Sequence, residues 1–355
     1  MHKKLALFPM TRDMCAVARY ASLLVGYEIC SLFAPPYANY EGEDICTIDG
    51  GDATGVFLSV YSDEALTNCD ILFVDYDEKV KNMTFYTDVI DKAKKLNKSV
   101  IMSQKLEYKL NTARMLRPNG EPTKILSEFD RLYDVKVPVI TVLSQGVRTD
   151  QFVVELALRE HFINNGYYVS QIGSYRASEF FGFASLPGFL YEARDAYEKI
   201  HMFNHYVQEL LQNDKPQLLI IGVPDAIMKF NDRILLGMGL IPYVVCNAVK
   251  SDLSILSMYY GRHKERYFDE MSKYGHYCYN TPLEFFNISN THFAPDFSSE
   301  LPIEKYMDIN SEFAMGTVND IDAGDFVLFN ALNKASMKNA CNLINDALTN
   351  NVRSI

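Results

Sequence analysis

The sequence predicts an α/β protein of two domains. Three observations carry this. Short apolar runs of strand length alternate with helical segments from the first residues to about residue 102, and such alternation implies a parallel sheet with helices on its faces. The rhythm breaks between about Arg117 and Val137, where Pro118-Asn119-Gly120 and Pro122 interrupt it. It then restarts at Pro138-Val139-Ile140-Thr141-Val142-Leu143. A chain of 355 residues also sets a prior of about two domains. The expected division is a Rossmann-like domain over 1–117, a linker over 118–137, and a degenerate P-loop-like doubly wound domain with a C-terminal helix over 138–355.

In the first part, Leu5 to Phe8 reads as a strand. The apolar stretch from Leu5 to Met10 is cut by Thr11-Arg12-Asp13, which makes it shorter than the core of a signal peptide. A helix follows from about Asp13 to Leu24, and Tyr27 to Phe33 is a strand stopped by Pro35-Pro36. Asp49-Gly50-Gly51-Asp52 reads as a turn. Ser62 to Asn68 reads as a short helix, Asp70 to Asp75 as a strand, Thr84 to Leu96 as an amphipathic helix, and Ser99 to Met102 as a strand.

In the second part, Ser144 to Asp150 is a tight polar loop between the strand and a helix over Gln151–Asn164. Val154, Leu158 and Phe162 line one face of that helix, and Phe152, Leu156 and Ile163 another, so it is covered on two sides. Tyr167–Ile172, Gln217–Pro224 and Ile241–Cys246 read as strands. Leu190–Gln212 and the tail from about Asp325 to Asn350 read as helices.

Composition excludes several classes. The formal net charge is −11, a poor match to nucleic acid, where Lys and Arg must displace counterions. No apolar run approaches the roughly 18 residues of a membrane helix. The seven cysteines are Cys15, Cys30, Cys46, Cys69, Cys246, Cys278 and Cys341. They are odd in number and never form Cys-x-x-Cys, so free thiols in a reducing cytoplasm are expected, not disulfides or a metal cluster. His201 and His205 have a zinc-compatible spacing, but no third ligand accompanies them, and no metal is expected. The Gly-x-Gly-x-x-Gly and Gly-x-Ser-x-Gly motifs are absent, so neither a nicotinamide or flavin cofactor nor a hydrolase triad is indicated. The cofactor, if one exists, stays unknown.

The segment richest in chemistry is strand–loop–helix, Val139 to Phe162. A loop at a parallel strand's C-terminal end, opening a helix, offers free amides and the helix dipole to an anion. Ser144, Gly146, Arg148 and Thr149 fit such a site. The loop lacks the lysine and second glycine of a phosphate-binding P-loop, and Asp150 would repel a phosphate. A retained fold with a lost site and an anion site built on Arg148 both remain open. Arg176 follows the Tyr167–Ile172 strand and could hold a carboxylate or phosphate bidentately. It could equally pair with Glu179 at the surface. Asp225, after a buried strand, has the rough placement of a magnesium-binding carboxylate, or else caps the next helix. Asn231 and Arg233 form a polar edge after Met228-Lys229-Phe230. The cluster of Phe180, Phe181, Phe183 and Phe189 reads as core.

These segments also resemble a known family. Ser144 to Phe152, Leu156-x-Leu158-Arg159 and Gly166-Tyr167-x-Val169-Ser170-Gln171-Ile172-Gly173-Ser174 are similar to the bacterial peptide maturation system proteins. Those proteins are encoded beside radical-SAM maturases of modified ribosomal peptides. The likeness continues through Phe203-Asn204-His205-Tyr206, Ile220 to Pro224 and Phe230-Asn231-Asp232-Arg233. Near the start it takes in Ala21 to Ile29, Asp49-Gly50-Gly51, Cys69-Asp70 and Phe73-Val74-Asp75. It implies a cytoplasmic accessory role with a precursor peptide or a radical-SAM maturase as partner, and it carries over no catalytic residues. Where the family often has a lysine after the Asp, this chain has Gln151. The alternative expectation is an enzyme or binding protein acting on a nucleotide or other anionic small molecule in a cleft between the domains. A homodimer is a further expectation.

Overall fold

A computed structural model of the protein describes residues 2–111, 131–281, 283–298 and 300–352. The expected linker over 118–137 lies outside the described residues as far as residue 130. The chain forms two compact units, one from residues 1–49, 53–124 and 175–182, the other from 50–52, 125–174 and 183–355.

The first unit is a doubly wound sheet of four parallel strands, β1 (Lys3–Phe8), β2 (Tyr27–Leu32), β3 (Ile71–Val74) and β4 (Ser99–Met102), in the order β2-β1-β3-β4. The helices are α1 (Arg12–Arg19), α2 (Cys46–Asp49), α3 (Asp63–Thr67), α4 (Met83–Lys95) and α5 (Gln104–Asn111). α1 begins where Thr11 caps it, its hydroxyl accepting from the Met14 amide. It is shorter than the expected 13–24 helix, with Ala21–Leu23 tightening into a 3-10 turn. On one sheet face Ala6, Phe8, Leu72 and Val74 pack against Tyr86, Val89, Ile90 and Ala93 of α4. On the other, Phe73 meets Tyr175 and Phe180 edge-on at 5.8 and 5.3 Å. The Val25 amide donates to the Phe180 carbonyl at 2.9 Å. The 3-10 segment Arg176–Phe181 thus belongs to this unit although it lies far away in sequence.

The second unit has β5 (Val139–Ser144), β6 (Val169–Gly173), β7 (Ala184–Ser185), β8 (Leu218–Ala226), β9 (Leu253–Met258), β10 (Leu283–Ile288) and β13 (Val327–Phe329) in one parallel sheet. The order is β13-β10-β9-β5-β8-β6-β7. A separate antiparallel hairpin joins β11 (Thr291–Phe293) to β12 (Tyr306–Asp308). The helices are α6 (Gln151–Asn164), α7 (Ala196–Asp214), α8 (Leu240–Ala248), α9 (Glu265–Tyr279), α10 (Ser311–Asp320) and α11 (Lys334–Val352). β5, β8 and β9 are buried through most of their length, as a parallel sheet covered on both faces requires.

In this unit the helix expected from Leu190 begins only at Ala196, and two further expected elements change in kind. Ile241–Cys246 is not a strand but the body of α8. A short apolar run has no readable period, Gly239 enters left-handed at φ 75°, and Pro242 sits in the first turn, where its missing N–H costs nothing. The tail splits into β13 and α11, because Val327–Phe329 pairs with Phe285–Asn287.

Asn204 of α7 ties the described end of the linker region to this unit. Its side chain accepts from the Tyr133 amide at 2.7 Å and donates to the Tyr133 carbonyl at 2.9 Å and the Ala248 carbonyl at 2.8 Å. One buried amide therefore satisfies three backbone groups.

Candidate functional site

The β5–α6 corner of the second unit is built from backbone that side chains rarely adopt. Arg148 and Asp150 take positive φ of 64° and 59°, and Gly146 lies at 154°. Gly146 has to be glycine, since a Cβ there would collide with the Tyr259 hydroxyl. The Ser144 hydroxyl donates to the Asp225 carbonyl at 2.8 Å, so the ends of β5 and β8 meet. Asp225 is itself left-handed at φ 69°. The Thr149 hydroxyl turns back onto the Gly146 carbonyl at 3.1 Å. Among the described residues, the amides of Gly146, Val147, Arg148 and Thr149 donate to no acceptor.

The rest of the corner is held by the protein. Asp150, 3% exposed, accepts the Asn290 amide at 3.0 Å. The Gln151 Nε2 donates to the Val142 and Val223 carbonyls, both at 2.7 Å. It staples β5 to β8. Asn287 donates to the Thr149 carbonyl at 3.1 Å, and Asn330 donates to the Ile288 carbonyl at 2.7 Å. Outside, the β11–β12 hairpin lies against the loop. Arg148 pairs with Asp308 at 2.7 Å and stacks over the Tyr306 ring, while Tyr259, Phe293 and Tyr306 pack ring on ring.

One turn into α6, Glu155 is fully buried. It accepts the amide of Ser174 at 3.1 Å and its hydroxyl at 2.5 Å. Sequence reading missed Gln151 as a brace, and Glu155, Asn287 and Asn290 altogether. Polar residues inside apolar runs were the available signal for Glu155 and Asn287.

The remaining expected residues serve other places. Asn231 closes its own turn, accepting the amides of Arg233 and Ile234 at 2.9 Å. Arg233 donates to the Glu300 carbonyl and lies over Phe297. Arg176 belongs to the first unit. There it pairs with Glu107 at 2.5 Å and lies 3.9 Å from Glu179, the surface-pair reading in part. The eight residues therefore do not converge on one centre within a unit.

The first unit has a polar centre of its own, at the sheet's C-terminal edge between β1 and β3. Strand order reverses there, the place where open α/β sheets bind ligands. Asp75, one residue past β3, is 5% exposed. The Thr11 hydroxyl donates to it at 2.5 Å and the Tyr76 amide at 2.8 Å. Burial raises the Asp75 carboxyl above its ordinary range, and hydrogen bonds from Thr11, Ser103, Tyr175 and the Tyr76 amide only partly offset this. Burial, reinforced by the Asp75 charge, also pushes the Tyr175 phenol well up. Burial works against the Lys105 charge, but Glu78 beside it, with Asp75 and Asp13, outweighs that and holds the amine above its usual value. A carboxyl poised to keep its proton, ringed by hydroxyls, can exchange that proton with a bound group. The β1–α1 turn Pro9-Met10-Thr11 has no glycine to bring backbone close to a pyrophosphate. Among the described residues, no cluster of three or more metal-ligating side chains occurs, and no helix is long and apolar enough to cross a membrane.

No family model matches the chain, and no curated protein matches it. Among solved structures it is similar to a DUF1611 family protein from Anabaena variabilis. The TM-score is 0.52 and the identity 12%, over 81% of this chain and 88% of that one. A pseudomurein peptide ligase type C from Methanothermus fervidus aligns at TM-score 0.26 and 11% identity, over 74% of this chain and 39% of that one, which is too low to build on. At these identities the first likeness shows the fold alone: the chain is an α/β, Rossmann-like protein.

Proposed function

We propose that this chain is a cytoplasmic accessory protein of modified-peptide maturation. It recognises a precursor peptide or a radical-SAM maturase, and its second unit is a degenerate P-loop-like domain that hydrolyses no nucleotide. The observation that carries the second half is the state of Asp150 and Gln151. Where a P-loop presents a lysine and a hydroxyl to phosphate and magnesium, this corner turns both side chains inward onto backbone. The family likeness of the same loop, from Ser144 to Phe152, supports the peptide half. The free thiols, four of them buried, suit a reducing compartment. The test is affinity capture of the tagged chain with the products of neighbouring genes. A precursor peptide or maturase should be retained, and calorimetry showing no binding to either would end the accessory reading.

A second reading has its own observation. The undonated amides from Gly146 to Thr149 suit a small anion, and the protonatable Asp75 suits acid–base work on a ligand of the first unit. A thermal-shift panel of nucleotides, phosphate and dicarboxylates separates the readings, because any ligand of the folded state raises its melting temperature.

A further inference from the structure

The second unit has a hollow away from the β5–α6 corner, of about 350 Å3, lined by Arg262, Asn310, Glu312, Phe313, Thr317 and Asp320 together with Gly316. Its charged groups are not spent on one another. Arg262 faces the same space as Glu312 and Asp320, yet no ion pair within 4 Å joins any of them among the described residues. Some exposed charges of this unit do close into local pairs, Arg266 with Glu270 and Lys273 with Asp269. The floor is fixed. The Thr317 hydroxyl bonds the Tyr260 hydroxyl at 2.8 Å, and the Asn310 side chain is committed to the Phe313 amide at 2.8 Å. Phe313 lies 5.8 Å from the Tyr260 ring and is still 55% exposed, so it offers an apolar wall.

A site with one cation, two acids and an aromatic wall suits a dipolar ligand with an apolar stem. Its volume lies at the lower end of the roughly 300–1,000 Å3 of ligand pockets, enough for a few residues of peptide. We propose that this hollow binds a short peptide segment bearing both charges. A side-chain carboxylate lies on Arg262, an amine lies on one of the two acids Glu312 and Asp320, which stand two turns apart on α10, and the connecting chain lies along Phe313. This rests on the peptide-recognition reading above and names the feature of the peptide that is read.

The experiment is calorimetry at low salt with the full chain and three blocked tetrapeptides, Lys-Ala-Ala-Asp, Lys-Ala-Ala-Ala and Ala-Ala-Ala-Asp. The doubly charged peptide should bind about threefold or more tightly than either analogue, the scale of exposed ion pairs. Arg262→Ala should erase the advantage over Lys-Ala-Ala-Ala and keep the melting temperature. Equal binding of all three, no binding at millimolar peptide, or indifference to Arg262→Ala in a folded variant each overturns the assignment. Partner capture repeated with Arg262→Ala keeps the two claims apart. Retention of the partner with no Arg262 dependence sinks this site alone, and loss of capture by the unmodified chain sinks the wider reading.

Discussion

The carboxylate of Glu155 lies directly against the α-carbon of Gly222, so close that a Cβ on residue 222 would overlap it. Glycine at 222 therefore lets a buried acid lie against β8 and reach Ser174, just past the end of the neighbouring β6. Gly222→Ala should force α6 or the acid to move and cost about 1–3 kcal/mol, the scale of overpacking. The double variant Gly222→Ala, Glu155→Gln should recover little, since the amide is as large. Urea midpoints of the three proteins check this, and an unchanged midpoint for Gly222→Ala would refute it.

Much of the architecture was legible because parallel strands buried on both faces read as unbroken apolar runs, such as Val139–Leu143 and Gln217–Pro224. The same property misled at Ile241–Cys246, where an apolar run proved to be a helix buried on several sides. The candidate site was less legible. The loop from Ser144 to Asp150 was found by its polarity, but its state depends on Asn287, Asn290 and Asp308, more than 135 residues away. Local sequence contains no record of such partners. Asp75 was visible at the end of its strand, whereas the burial that raises its carboxyl comes from packing that brings in Tyr175.

A P-loop-type lysine at position 151 should not create a phosphate site. Gln151→Lys loses two bonds to buried carbonyls and puts an ammonium where the side chain is 9% exposed. Unsatisfied buried groups cost about 1–3 kcal/mol each. A loss near 2 kcal/mol corresponds to roughly 4–8 °C in melting temperature for a unit of this size. Melting curves of Gln151→Lys with and without magnesium–ATP should show the drop and no rescue by nucleotide. A rescue would mean that the corner opens to phosphate after all.

Asn204 sets a second energetic expectation. Asn204→Ala strands the Ala248 carbonyl and both backbone groups of Tyr133, and the site is 1% exposed, so water does not replace them without rearrangement. The expected loss is about 2–4 kcal/mol. Asn204→Asp keeps the acceptor for the Tyr133 amide but loses both donors, and it should fall at least as far because it buries a charge. Chemical denaturation followed by tyrosine fluorescence tests both, and a loss under about 0.5 kcal/mol for the alanine variant would show that Tyr133 is held by something else.

The raised Asp75 carboxyl has a defined pH signature. An acid whose folded pKa lies above its unfolded value of about 3.9 keeps its proton in the native state while the unfolded chain has already released it. Its contribution to stability is full below the unfolded value and is lost as pH rises towards the folded one. Above that it is a constant penalty. Asp75→Asn keeps an oxygen for the Thr11 hydroxyl, which donates at 2.5 Å in the native protein, and it has no proton to lose. The variant should therefore gain stability relative to the native protein between pH 4 and pH 7, the gain flattening once the native carboxyl ionises. Other carboxylates titrate identically in both proteins, so the difference between their urea midpoints, taken at each pH, isolates residue 75. A difference that stays flat from pH 4 to pH 7 would show an Asp75 already ionised in the fold, and would remove the acid–base role from the first unit.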